Sequence, residues 1–219
     1  MNNIQANISH IKDRMKQACL TAGRNPDEVK LLLATKTVPT EKIAIALSEG
    51  IHLVGENKVQ ELKAKYDYLS ESNAAFHFIG HLQTNKIKDV LKYANCIQSV
   101  DRADLIHKLD QRLQYEGRSL DVFLQVNTSY EDSKFGVRPE EALALATEMS
   151  KFDTLKVKGL MTIGLFSAET EKVRRCFQLL KQLQLKIQEQ GLPNFDLKEL
   201  SMGMSHDFET AITEGATII

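Results

Sequence analysis

The chain has 219 residues, enough to bury a sizeable core and better suited to one large domain than to two complete ones. Lys and Arg total 28 against 29 for Asp and Glu, a balance that excludes a globally basic nucleic-acid or anionic-membrane binder, so no nucleic-acid or membrane partner is expected. No stretch is apolar for long enough to span a bilayer, and MNNIQANISHIKDRMKQACL reads as a capped amphipathic helix rather than a signal peptide. Three scattered cysteines, Cys19, Cys96 and Cys176, form neither a disulfide framework nor a zinc site, and this places the chain in a reducing cytoplasm.

An N-terminal helix over residues 1–23 comes first, and after it short apolar or β-branched runs alternate with longer helical stretches. The runs predict strands over 31–35, 52–55, 76–80, 96–100, 121–127, 157–163, 200–203 and 217–219, the last cut short by the end of the sequence. The predicted helices are 40–48 with a Thr40 cap, 59–69, 83–93, 101–115 with an Asp101 cap, 138–152 with Pro139 in its first turn, 168–190 and 205–214. Strand followed by helix, repeated without a hairpin signal, predicts parallel strands with helical crossovers. Eight such units predict an α/β fold, a single (β/α)₈ TIM-like barrel spanning residues 1–219. An open doubly wound sheet is the rival architecture, and no linker marks a second domain.

A barrel gathers its ligand site at the C-terminal ends of its strands. Those ends carry Lys36, Glu56, Asn57, His81, Asn127, Thr128, Met161, Thr162, Ser201, Met202 and Ser205. Lys36 closes the run Leu31-Leu32-Leu33-Ala34, where desolvation would disfavour its charge and leave a free amine able to condense with an aldehyde. A strand-end lysine snorkelling to water is the plainer alternative. The stretch "SMGMS" before His206 and Asp207 places small residues and free amides where a phosphate is commonly held, although Ser205 also suits a helix cap. His81 is either a ring-stacking group or a surface-loop histidine, and Asn57 either a ligand contact or a cap. His77 reads as a core residue. Lys134, in the loop after the fifth strand, reaches over the same mouth or is simply solvated.

The motifs "ATKTVP", "GENKVQE", "FHFIGHLQTNK", "QSVDR", "QVNTSYEDSKFGV", "GLMTIG" and "LSMGMSHDFETAITEGAT" resemble, in order and spacing, those of the pyridoxal 5'-phosphate (PLP) homeostasis proteins. These are small single-domain relatives of the alanine racemase N-terminal barrel. The resemblance implies that Lys36 carries PLP as an internal aldimine, with the phosphate around Ser201, Met202 and Ser205. It further implies that Asn57, His81 and Met161 line the ring and its surroundings, and that Lys134 takes part in handling the cofactor. It also implies an Arg-x-Gly-Thr stretch beyond the last strand; the sequence ends before it, at Ile219.

The expected function is that of a non-catalytic PLP-binding protein that stores, buffers or delivers the cofactor inside the cell, with PLP-dependent apo-enzymes as partners and a monomer as the expected state. Two other readings stay open. One is a PLP-dependent racemase of the alanine racemase type, for which Tyr130 is the tyrosine to watch as a second base. The other is a Schiff-base aldolase without PLP, using Glu56 beside Lys36. No metal is expected.

Overall fold

The architecture follows from one repeated step: an extended apolar run, a turn, and an amphipathic helix that returns the chain to start the next strand in the same direction. A computed structural model describes residues 4–219. The strands are β1 (Leu32–Ala34), β2 (Leu53–Glu56), β3 (Ala75–Phe78), β4 (Cys96–Val100), β5 (Leu120–Gln125), β6 (Leu155–Met161) and β7 (Phe195–Ser201). The helices are α1 (Ile4–Thr21), α2 (Thr40–Ser48), α3 (Val59–Leu69), α4 (Ile87–Val90), α5 (Ala103–Glu116), α6 (Ala142–Met149), α7 (Thr170–Gln188) and α8 (Phe208–Thr213). The strands form one parallel sheet in the order β1-β2-β3-β4-β5-β6-β7.

The two outer strands of that sheet are joined through residues 217–219. Thr217 N–H donates to the Leu200 carbonyl, and Met202 N–H to that of Ile218. On the other side, Lys30 N–H donates to Thr217 O, Ile219 N–H to Lys30 O, and Leu32 N–H to Ile219 O. The predicted eighth strand is therefore a three-residue bridge that closes the curled sheet into the TIM-like barrel. Closure leaves neither β1 nor β7 with an open ladder beside the bridge.

Alternation along each strand sorts side chains into two cores. Phe76, Phe78, Val122, Leu124, Leu160 and Leu200 face outward and join the large cluster beneath the helices. Cys96, Phe123, Met161 and Ile218 form a smaller cluster with Leu32 and Leu53, contributed by six segments of the wall and so lying inside it. Burial on both faces explains the near-continuous apolar runs of β5 and β6. Gly159 marks the tightest strand contact: a Cβ there would sit 2.0 Å from the Glu199 carbonyl oxygen of β7.

Several details differ from the sequence-based expectations. The first three residues of the predicted 1–23 helix lie outside the described residues. β1 is not a buried strand: Leu32 and Leu33 are half-buried and Ala34 is exposed, because this strand pairs with the short bridge on one side. β7 begins at Phe195, well before residue 200, since Asp196 and Lys198 alternate with buried Leu197 and Leu200 and mask the strand with charge. Segments 83–93 and 138–152 each open with a one-turn 3₁₀ helix, Thr84–Lys86 and Pro139–Glu141. The expected caps also move by one residue: Pro39 and Arg102, not Thr40 and Asp101, precede their helices. Among the described residues no helix is long and apolar enough to cross a membrane.

Ile218 is buried within the closing bridge. Truncation to alanine is expected to cost about 3 kcal/mol, as a cavity in the barrel interior. Urea unfolding of Ile218→Ala beside the parent chain measures it; a change below about 0.5 kcal/mol is the range of a surface site and contradicts the closure.

Candidate functional site

Because all strands run the same way, their C-terminal residues share one rim. Lys36 leaves β1 on that rim and is exposed; among the described residues its ammonium makes no hydrogen bond or ion pair. The segment around it is nevertheless firmly held. Thr35 is buried, its N–H donating to Gly55 O and its hydroxyl to Glu56 Oε1 at 2.5 Å. Lys65 of α3 donates to the Thr35 carbonyl at 2.6 Å, and Glu61 Oε2 accepts the Thr37 N–H at 2.9 Å.

Two strand positions away, on the far side of the bridge 217–219, lies the turn between β7 and α8. Its Gly203, with φ 102°, approaches α8 so closely that a Cβ would sit 2.7 Å from that of Ala211. Among the described residues the N–H groups of Gly203, Ser205 and His206 donate to no protein acceptor. Met204 N–H is taken by Asp207 Oδ1, which is the side chain that organises this turn. Ser205 does not cap the helix; Asp207 occupies the residue before α8. Three unpaired amides on one turn, beside the exposed Ser205 hydroxyl, suit a phosphate oxygen.

The other predicted phosphate contacts are already engaged. Ser201 Oγ donates to Gln98 Oε1 at 2.7 Å within the barrel, and would have to release it to reach an anion. Met202 N–H is spent on Ile218 O, and its side chain belongs to the outer core. Met161 lies in the interior cluster, below the rim. Asn57 is exposed at the head of α3, whose first flanking residue is Lys58.

His81 stacks on a ring, that of Phe135, with centroids 3.9 Å apart and planes inclined by 17°. Burial, with Arg102 nearby, holds its imidazole below the usual histidine range against the pull of Asp101. Phe135 belongs to the loop after β5, which crosses the rim as a strap. Asn127 Nδ2 donates to the carbonyls of Glu131 and Lys134, Gln125 Nε2 to that of Phe135, and Val126 bridges Val137. Gly136, at φ 121°, lets the strap lie against the Asn127 backbone. Lys134 fastens its far side, donating to Gly164 O at 2.6 Å and pairing with Glu131.

Sequence reasoning overlooked Phe135, Glu61 and Lys65. The Glu61/Lys65 spacing on α3 is legible as a helical ion pair, yet nothing local marks Lys65 as buried. Among the described residues no His, Cys, Asp and Glu cluster is arranged to hold a metal.

Below the rim, Gln98 joins Ser201 to His77. With Ser201 donating to Oε1, Gln98 Nε2 is the donor to His77 Nδ1, at 2.7 Å, which leaves the imidazole proton on Nε2. Burial, reinforced by Lys30 and opposed by Glu199, lowers the His77 pKa to about 4. The unfolded chain titrates this histidine near its ordinary value, so it binds more protons than the native state between pH 6.5 and 4. Stability must therefore fall as pH falls through that window, by about 3 kcal/mol from this residue. Urea unfolding across pH 4–7 is expected to give a steeper acid loss for the parent chain than for His77→Gln; parallel profiles would refute the assignment.

The profile of the alanine racemase N-terminal domain matches residues 1–218. The pyridoxal phosphate homeostasis protein of Aquifex aeolicus is 41% identical over 212 residues, covering 97% of this chain and 92% of its own. The PLP-bound structure of PipY from Synechococcus elongatus is 31% identical with a TM-score of 0.82, covering 95% of this chain and 96% of that one. An alanine racemase from Clostridium difficile, at 12% identity, shares the fold with a TM-score of 0.79 over 98% of this chain and 55% of its own.

Proposed function

Because the chain belongs to the pyridoxal phosphate homeostasis protein family, we propose that it binds PLP covalently through Lys36 and acts as a carrier that stores, buffers or delivers the cofactor. The observation that carries the reading is the placement, on one rim, of a lysine amine and of a turn with three amides across the bridge 217–219, all unpaired among the described residues. PLP presents an aldehyde and a phosphate. The amine attacks the aldehyde carbon, a C=N bond forms and water leaves. The Gly203–Ser205–His206 turn takes the phosphate, with Ser205 beside it and Ser201 reached only if Gln98 lets it go. Asn57 and His81 line the approach, Met161 forms the floor beneath it, Met202 supports the phosphate turn from the core side, and Lys134 acts indirectly by holding the strap down.

Exposure of Lys36 and Ala34 leaves the bond open to water, which suits a cofactor that must come off again. A racemase needs a second base, and Tyr130 is poorly suited to the task. Its hydroxyl donates to Glu140 at 2.6 Å, a contact that pushes the phenol above its ordinary pKa. An aldolase base at Glu56 is equally compromised, since the carboxylate is sealed in and ion-paired with Lys65. We further assign the chain as one PLP-binding domain, a monomer of the cytoplasm whose partners are PLP and apo-enzymes that use it.

Purified protein mixed with PLP is expected to develop a visible absorption band that Lys36→Ala lacks, and borohydride reduction with peptide mapping should place the label on Lys36. No band in the parent chain, or the same band in Lys36→Ala, overturns the assignment. Turnover of L- to D-alanine by the PLP-loaded parent chain would replace the carrier with the racemase.

A further inference from the structure

Beneath Lys36 lies a buried ion pair that the binding of PLP does not use. Lys65 is 8% exposed and Glu56 1%, and their charged atoms lie 2.5 Å apart. Glu56 spends Oε1 on both Lys65 and Thr35, while Oε2 is buried and accepts no hydrogen bond from the described residues. A buried ion pair is by itself a poor way to gain stability, because desolvation of both charges offsets their attraction. What the pair touches gives a better account of its placement.

Contacts of this group converge on the peptide segment that carries Lys36. The Thr35 side chain is tied to Glu56, the Thr35 carbonyl to Lys65, and the Thr37 N–H to Glu61. Thr37 Oγ1 also closes on the Lys36 carbonyl at 2.6 Å. Thr37 itself has φ 61°, a left-handed conformation that a β-branched residue rarely adopts. Such a conformation persists only where the surroundings impose it; here the Val38 N–H closes a turn on the Thr35 carbonyl, and α3 holds that turn through Glu61 and Lys65.

We propose that Glu56, Glu61 and Lys65 are positioning residues for Lys36: together they clamp the backbone on both sides of it, so that an otherwise unpartnered amine meets the PLP aldehyde from one fixed origin. The inference rests on the reading that Lys36 carries PLP. The clamp acts on the backbone, while the lysine side chain stays free to exchange its cargo. Glu61 is the adjustable member, being half-buried at the surface end of the group, whereas Glu56 and Lys65 are sealed in.

Glu61→Ala removes the acceptor of Thr37 N–H without burying a charge, and Glu61→Gln keeps an oxygen in its place. Three readouts are compared with the parent chain: amide hydrogen exchange at Thr37 in the absence of PLP, PLP affinity from the visible band, and visible circular dichroism per bound PLP, which reports how rigidly the chromophore is oriented. Glu61→Ala is expected to speed Thr37 exchange and weaken PLP binding, each by about tenfold, the worth of one hydrogen bond to a charged acceptor. It should also lower the dichroism per bound PLP, and Glu61→Gln should restore all three. Lys65→Met is expected to have a larger effect in the same direction; should it fail to fold, the Glu61 pair decides alone. If the parent chain forms the band and Glu61→Ala matches it in affinity and dichroism, the clamp does not position Lys36 and the proposal is wrong. If the parent chain forms no band, the PLP reading fails first and this inference falls with it.

Discussion

A parallel ladder constrains everything else in this protein. When seven strands all run in one direction and three residues, 217–219, join the last to the first, each strand end is delivered to the same rim. Groups far apart in sequence, Lys36 after β1 and Gly203 to His206 after β7, then become neighbours across a single bridge. The bridge is short, and it acts through backbone hydrogen bonds to both sides rather than through side-chain mass. Its one large inward side chain, Ile218, plugs the interior cluster formed with Cys96, Phe123 and Met161.

The barrel interior is divided by polarity. The apolar cluster gives way to the Ser201–Gln98–His77 chain of hydrogen bonds, in which each member satisfies the next. A neutral imidazole is the form that fits there, because burial and the Lys30 ammonium disfavour a charged ring more than Glu199 favours it. The cost of that choice appears only in acid. Interior polarity of this kind also explains why Ser201 is less available at the rim than its position in the chain suggests.

Around the rim, backbone geometry is imposed by side chains that lie elsewhere. α3 fixes the Lys36 segment through Glu61 and Lys65, Asp207 fixes the turn before α8 through the Met204 N–H, and Asn127 fixes the strap through two carbonyls. In each case a charged or amide side chain consumes backbone groups that would otherwise face water. What this leaves unengaged between the Lys36 segment and the turn before α8, among the described residues, includes the Lys36 amine, the Ser205 hydroxyl and the amides of Gly203, Ser205 and His206. The strap, pinned by Lys134 to Gly164 after β6 and by the Phe135–His81 stack after β3, lies over the β3–β6 side, away from the exposed Lys36.

The strand–helix alternation, the parallel sheet and the barrel were legible in the sequence, since they depend on local periodicity and on the absence of hairpin turns. The seven ordered motifs carried the family as well, and Lys36 could be singled out as the residue that ends the first strand. What only tertiary structure decided were relations between distant segments. The exposure of β1 depends on the bridge beside it, the early start of β7 on which faces of Asp196 and Lys198 meet water, and the burial of Lys65 on Glu56 arriving from another strand. His81 offered a ring from sequence; its partner, Phe135, is fixed by the path of the strap. A sequence records which groups a chain carries and the period with which they recur, whereas a hydrogen bond between residues far apart in the chain depends on where closure of the barrel brings them.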